Sequence, residues 1–211
     1  MEDIHIGKTY KITTDGVTAE KTDGKSVRTM KYYPERDIAA IAGEIDELTA
    51  WQILRDVADQ IGTTDTPIAP EHIFIDGDRF VLSEWSGSED PRFVAPEGYS
   101  PVWALGASVF YVYLGCHVFH GLGGKGQTKT APIPTLRRGL PDLSRIIIRC
   151  LDFNPANRPK PGEVSKIAAD NIRRCKSSHS DFPPLKKNTN NPITADEIDA
   201  YWPEEMCERN V

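Results

Sequence analysis

The sequence predicts an α+β chain in which a small β-meander precedes a mainly helical unit, and three observations carry that expectation. Residues 8–33 hold three short runs rich in Thr, Val and Tyr, KTYKITT, VTAEKT and SVRTMKYY, separated by Asp15-Gly16 and Asp23-Gly24. Asp-Gly supplies the positive φ angles of tight hairpins, so these runs should pair as consecutive strands. Residues 102–119, VWALGASVFYVYLGCHVF, are apolar nearly throughout, the composition of a helix buried on every side. Beyond Gly98 the remaining segments read as helix or loop.

Taken in order, Pro34 stops the third strand, and Ile38, Ile41, Ile45 and Leu48 recur at spacings of three and four, predicting a short amphipathic helix. A second helix is expected from Thr49 to Gly62, carrying Trp51, Ile53, Leu54, Val57 and Ile61. The loop GTTDTPIAPE follows. Residues 73–75 and 80–82 predict two small strands joined at Asp76-Gly77-Asp78. After the buried helix, GLGGKGQTKTAPIPT marks a long irregular connection, and residues 141–153 and 161–176 predict two further helices, the first with a triple-Ile face. From Ser177 the chain reads as a Pro-, Asn- and Ser-rich linker. Thr194 and Glu197 then form a capping box for a last, acidic helix whose apolar face bears Ile198, Tyr201 and Trp202. That face could pack on the basic helical unit or fill a partner's groove. No internal repeat is visible, and the division reads 1–48, 49–176 and 177–211.

Composition is ordinary for a globular protein, with 39% hydrophobic and 27% charged residues. The net charge of -6 argues against general nucleic-acid binding. Its distribution says more: residues 1–134 carry 12 basic and 20 acidic groups, residues 135–176 carry 10 and 4, and residues 177–211 carry 3 and 7. The basic block reads first as a solvated surface of mixed charge. Its stretch at 137–149, with Arg137, Arg138, Arg145 and Arg149, is alternatively a dock for an acidic protein partner or for the acidic tail. Cys116, Cys150, Cys175 and Cys207 are widely spaced without CxxC pairs, which favours reduced thiols and a cytoplasmic setting. The opening MEDIHIGKTY lacks an apolar signal core. Ser108, two glycines and His117 interrupt the 102–119 run, and Pro101 precedes it without a basic flank, so no membrane span is expected.

Four strings then agree in order and spacing. IAPEHIFID at 68–76, VLSEWS at 81–86, FVAPEGYSPVWALGASVFYVYLG at 93–115 and CLDFNPANRP at 150–159 resemble, respectively, the catalytic-loop exit, the strand leading into Asp-Phe-Gly, the Ala-Pro-Glu segment with its central helix, and the closing CLxxDPxxRP of the protein kinases. The resemblance covers residues 49–176 and implies a kinase-like C-lobe, with residues 1–48 as a reduced N-lobe remnant. It implies that Glu97 and Arg158 form a buried, bidentate ion pair and that Trp103 is a structural position in the central helix. Such a pair fixes geometry more than it stabilises.

The chemistry of the family is missing. Phosphoryl transfer needs a group to position the nucleophile, magnesium ligands and a lysine on the phosphates. By the resemblance, Pro67 stands at the catalytic base and Ala69 at the catalytic-loop lysine. His72 replaces the metal-binding asparagine, and imidazole is a poor ligand for a hard cation. Glu84, with Trp85 and Ser86, replaces Asp-Phe-Gly, and Pro101 replaces the aspartate that anchors the catalytic loop. The interval from Glu84 to Glu97 is too short for the usual activation loop. No glycine-rich loop precedes Lys31, which with Glu84 is the candidate nucleotide contact and has Glu44 as a candidate helix partner. The plainer reading of Lys31 is a solvated strand-end lysine. Neither ATP nor magnesium is expected as a cofactor.

Two further motifs are read down. GLGGKGQT at 121–128 lacks the upstream glycine and preceding strand of a P-loop, and Cys116, His117 and His120 lack a fourth metal ligand. The expected function is therefore a catalytically inactive, kinase-like regulatory or scaffolding module. The alternative is an atypical enzyme that keeps Lys31, His72 and Glu84 for a nucleotide or another phosphate compound.

Overall fold

The computed structural model describes residues 2–5, 8–12, 18–22, 27–31, 33, 35, 37–63, 66–82, 90–129, 132–133, 136 and 140–180, the strands before Lys31 as backbone alone. The chain is α+β and mostly helical. Strands β1 (Glu2–His5), β2 (Lys8–Ile12), β3 (Thr18–Thr22) and β4 (Val27–Lys31) form an antiparallel sheet in sequence order. The three strand runs were legible, and β1 adds a fourth. Its register sets Glu2 opposite Lys11, and Lys11 opposite Glu20. The Asp-Gly turns themselves lie outside the described residues.

The helix expected over residues 38–48 is replaced by a single 3-10 turn, Ile38–Ile41, whose first free amide, Ala39 N, donates to the Asp37 side chain at 3.1 Å. Gly43 explains the difference. It sits at φ +83, donates to the Val112 carbonyl at 2.7 Å, and lies where an added Cβ would meet the Gly115 backbone at 3.5 Å. A residue bound there to a second element in a left-handed conformation cannot continue a helix. Helix α1 (Glu47–Gln60) then starts afresh, two residues before Thr49, because Asp46 caps it by accepting from Thr49 N at 2.8 Å.

Helix α1 builds the next element with its side chains. Strands β5 (Ile73–Asp76) and β6 (Arg79–Leu82) pair antiparallel around Gly77 at φ +63, and an isolated two-stranded hairpin is marginal in water. Asp56 Oδ2 accepts from Phe80 N at 3.1 Å, and Gln60 Oε1 accepts from Leu82 N at 2.9 Å. Gln60 Nε2 donates to the Phe80 carbonyl at 2.8 Å. Two side chains one helical turn apart thus do for β6 what a third strand would do.

Helix α2 (Pro101–Leu114) is the buried helix, with residues 102–110 all buried. Pro101 opens it at a position that needs no N–H, and Gly115 at φ +74 ends it at Leu114, five residues earlier than expected. No described helix is long and apolar enough to cross a membrane. Helix α3 (Pro141–Cys150) meets α2 at Gly106, where an added Cβ would lie 2.7 Å from Cys150 Cβ. Helix α4 (Pro161–Ser180) runs four residues past the expected end and packs along α1. Trp51, Leu54, Leu105, Phe110, Ile147, Leu151 and Val164 make one continuous core. The helix expected after Thr194 lies outside the described residues.

Candidate functional site

Residues 66–72 form the loop in which the sequence places the degenerate positions, and each has a structural occupation. Ala69 is 1% exposed, its methyl group in the core, and it precedes the 3-10 turn Pro70–His72. The His72 ring is 3% exposed, and its Nδ1 donates to the Pro67 carbonyl at 2.7 Å. A carbonyl only accepts, so this bond fixes the Nδ1–H tautomer. The imidazole thereby spans its own loop, and Pro67 contributes a backbone oxygen. Ile68 N donates to the Tyr99 hydroxyl at 2.8 Å, a tie from the segment just before α2. Sequence reasoning expected the loop to lose its anchor with Pro101; a phenol two residues earlier supplies one.

Lys31, at the end of β4, reaches neither Glu44 nor open solvent alone. Its Nζ lies 2.6 Å from Asp76 Oδ2 at the end of β5 and 5.1 Å from the Tyr33 ring centroid. That hydrogen bond raises the ammonium above its ordinary range. Tyr33 stacks on Phe74 at 5.0 Å, and Asp37 bridges to Phe74 through the backbone. The expected strand-end lysine is thus an exposed tie between the meander and the β5–β6 hairpin. Glu84 lies outside the described residues.

Glu97 and Arg158 make the bidentate contact, Nη1 to Oε1 and Nη2 to Oε2, the latter at 2.9 Å. The expectation of a buried pair needs correcting on one side: the Arg158 side chain is 3% exposed and that of Glu97 38%. Arg158 Nε also donates to the Asp152 carbonyl at 2.8 Å, which ties down the chain beyond α3; that helix ends at Cys150, three residues short of the expected end. The hydrogen bond from Arg158 keeps the Glu97 carboxyl below its ordinary range.

Trp103 is fully buried and donates from Nε1 to Gln127 Oε1 at 3.0 Å; Gln127 Nε2 donates in turn to the Leu151 carbonyl at 2.6 Å. Gln127, 5% exposed, links α2 to the end of α3 through a loop. It was read only as part of a glycine-rich connection. Within that connection, Gly123 and Gly124 are needed for close approach: an added Cβ would lie 2.2 Å from the Pro91 carbonyl oxygen and 2.1 Å from Pro96 N, respectively. Gly124 N also donates to the Val94 carbonyl at 2.7 Å. The glycines face protein backbone, so this part of the connection is closely packed where the sequence suggested a flexible loop.

Among the described residues no group of three or more His, Cys, Asp or Glu side chains is placed to hold a metal ion. His117 instead lies flat on Tyr111, with centroids 4.2 Å apart, and faces Arg92. Burial pushes the Cys150 thiol up to about 12, so it stays a protonated core side chain. In the basic stretch, Arg145 pairs with Asp142 at 2.9 Å, Arg149 with Glu163 at 2.8 Å, and Arg174 from α4 also reaches Asp142 at 3.2 Å. Arg137 and Arg138 lie outside the described residues. No protein-family model matches the chain, and no curated protein matches it.

Proposed function

We propose that the chain is a pseudokinase: a kinase-like module without phosphotransfer that acts as a regulatory or scaffolding protein-interaction domain. One observation carries the reading. The loop at 66–72 is held in place by Tyr99 and His72, yet the side chains of Pro67 and Ala69 offer neither a proton acceptor nor a charge, and the buried His72 imidazole, tied across its own loop, brings no anionic oxygen for magnesium. Support for the kinase-like part comes from the order of α1, loop, β5–β6 hairpin, Ala95-Pro96-Glu97, buried α2 and Arg158, with the Glu97–Arg158 contact closing it. Lys31 is already neutralised by Asp76, which speaks against a lysine held ready for a nucleotide. The partner class that fits is a protein with an acidic surface, met through residues 137–149, of which Arg145 is 70% exposed. A cytoplasmic setting goes with the described cysteines, Cys116, Cys150 and Cys175, which form no disulfide with one another.

Isothermal titration with ATP, with and without magnesium or manganese, tests this reading. No saturable heat is expected. Saturable binding that disappears in Lys31→Ala would favour the alternative, a nucleotide-binding enzyme built on the same frame.

A further inference from the structure

The turn Pro91–Phe93 is gripped from two sides. Asp90 caps it, accepting from Arg92 N at 2.9 Å, and binds the Arg92 guanidinium through Nε at 2.9 and 3.1 Å and Nη2 at 2.6 Å. The remaining terminal nitrogen, Nη1, lies 3.0 Å from His117 Nε2. A guanidinium has no acceptor, so Nε2 must accept, and His117 must be neutral with its proton on Nδ1. That Nδ1 is buried without a hydrogen-bond partner. The ring has little freedom to turn away. It lies 8° from the plane of Tyr111, Phe93 meets it edge-on at 5.6 Å, and it leads into the turn Val118–Gly121, where Phe119 and His120 both hold φ 52. Two adjacent non-glycine residues in the left-handed region cost strain that the surrounding packing sustains.

The charged and titratable groups facing His117 come from three elements: Asp90 and Arg92 from the turn, Glu71 from the Pro70–His72 turn, and Tyr111 from α2. On its own turn His120 is exposed. We propose that His117 is a proton-operated latch on residues 90–94: neutral, it accepts from Arg92 and holds the turn against α2; protonated at Nε2, it loses its lone pair, confronts the guanidinium as a second cation, and releases the turn. Arg92 and the protonated imidazole then compete for the one Asp90 carboxylate.

Burial, followed by the charge on Arg92, holds His117 below the ordinary imidazole value of 6.5, against the opposing pull of Asp90 and Glu71. The folded chain therefore takes up this proton less readily than the unfolded chain. The latch's contribution is complete above the ordinary value and is lost as pH falls from there through the lower, folded-state value. The inference stands on this contact alone and does not need the pseudokinase reading.

Amide hydrogen exchange on the full chain, corrected for intrinsic rates, tests it between about pH 8 and about pH 5. The informative amides are Phe93 N, which donates to the Asp90 carbonyl at 2.9 Å, and Gly124 N, bound to Val94. Their protection should fall about fivefold across that range, the equivalent of one lost hydrogen bond, while Ala168 in α4 stays protected. His117→Phe keeps the stack and should make the protection of Phe93 and Gly124 independent of pH. In Arg92→Gln, nuclear magnetic resonance should find His117 titrating at higher pH. Constant protection of the wild-type turn, which needs no variant to fold, overturns the latch. So does an unchanged fall in His117→Phe or an unchanged His117 titration in Arg92→Gln.

Discussion

Trp103→Ala is expected to destabilise the chain by about 3–5 kcal/mol, the largest effect of any single truncation considered. Trp103 is fully buried in the first turn of α2 and stacks on Phe119 with centroids 6.4 Å apart. Its indole N–H starts the relay through Gln127 to the Leu151 carbonyl. Truncation opens a cavity and takes the indole N–H away from the buried Gln127 Oε1, so two penalties add. Gln127→Leu separates them. It keeps most of the volume but orphans both the indole N–H and the Leu151 carbonyl, and should cost about 2–3 kcal/mol. Denaturant melts of both variants check this, with equal midpoints for Gln127→Leu and wild type counting against the relay.

The second large effect belongs to Glu97 and Arg158. Breaking a fully buried pair costs about 3–5 kcal/mol, but Glu97 is 38% exposed and can be rehydrated. Arg158→Ala and Glu97→Ala should therefore each cost about 2–3 kcal/mol, and the double variant about 1–2 kcal/mol less than their sum. Glu97→Ala is harmful for its own reason: it strands a guanidinium that is 3% exposed with, among the described residues, the Asp152 and Phe153 carbonyls as its remaining acceptors. The pair also sets an acid limit. Arg158 holds the Glu97 carboxyl below its ordinary 4.5 in the folded state. Its contribution is thus complete above that value and is lost as pH falls through the lower folded-state one. Glu97→Gln should flatten this acid limb in pH-dependent melts.

What was legible in the sequence follows from the range over which each signal acts. The β5–β6 hairpin and the buried α2 announce themselves through local period and turn residues, and the Glu97–Arg158 contact through spaced motifs. The break at Gly43 was hidden because an apolar spacing of three and four reads as helix whether or not a glycine inside it is bonded to Val112. Asp46, one residue before α1, outcompeted Thr49 as the start of that helix. The polar ties were invisible for a different reason. Trp103 and Gln127 stand 24 residues apart, Ile68 and Tyr99 stand 31 apart, and Gln60 and Leu82 stand 22 apart. No periodicity links such pairs, and a glutamine or tyrosine in a loop looks the same whether it faces water or a buried amide. His72 was judged by what it cannot ligate; its bond across its own loop to Pro67 appears only in three dimensions.

The claim that the 66–72 loop keeps a shape without a chemistry is tested most directly by γ-phosphate transfer from labelled ATP. The full chain would be supplied with magnesium or manganese and assayed on itself and on generic protein acceptors. The account predicts label incorporation no greater than in protein-free controls. Incorporation that scales with the amount of chain and vanishes in a folded Lys31→Ala variant would contradict it.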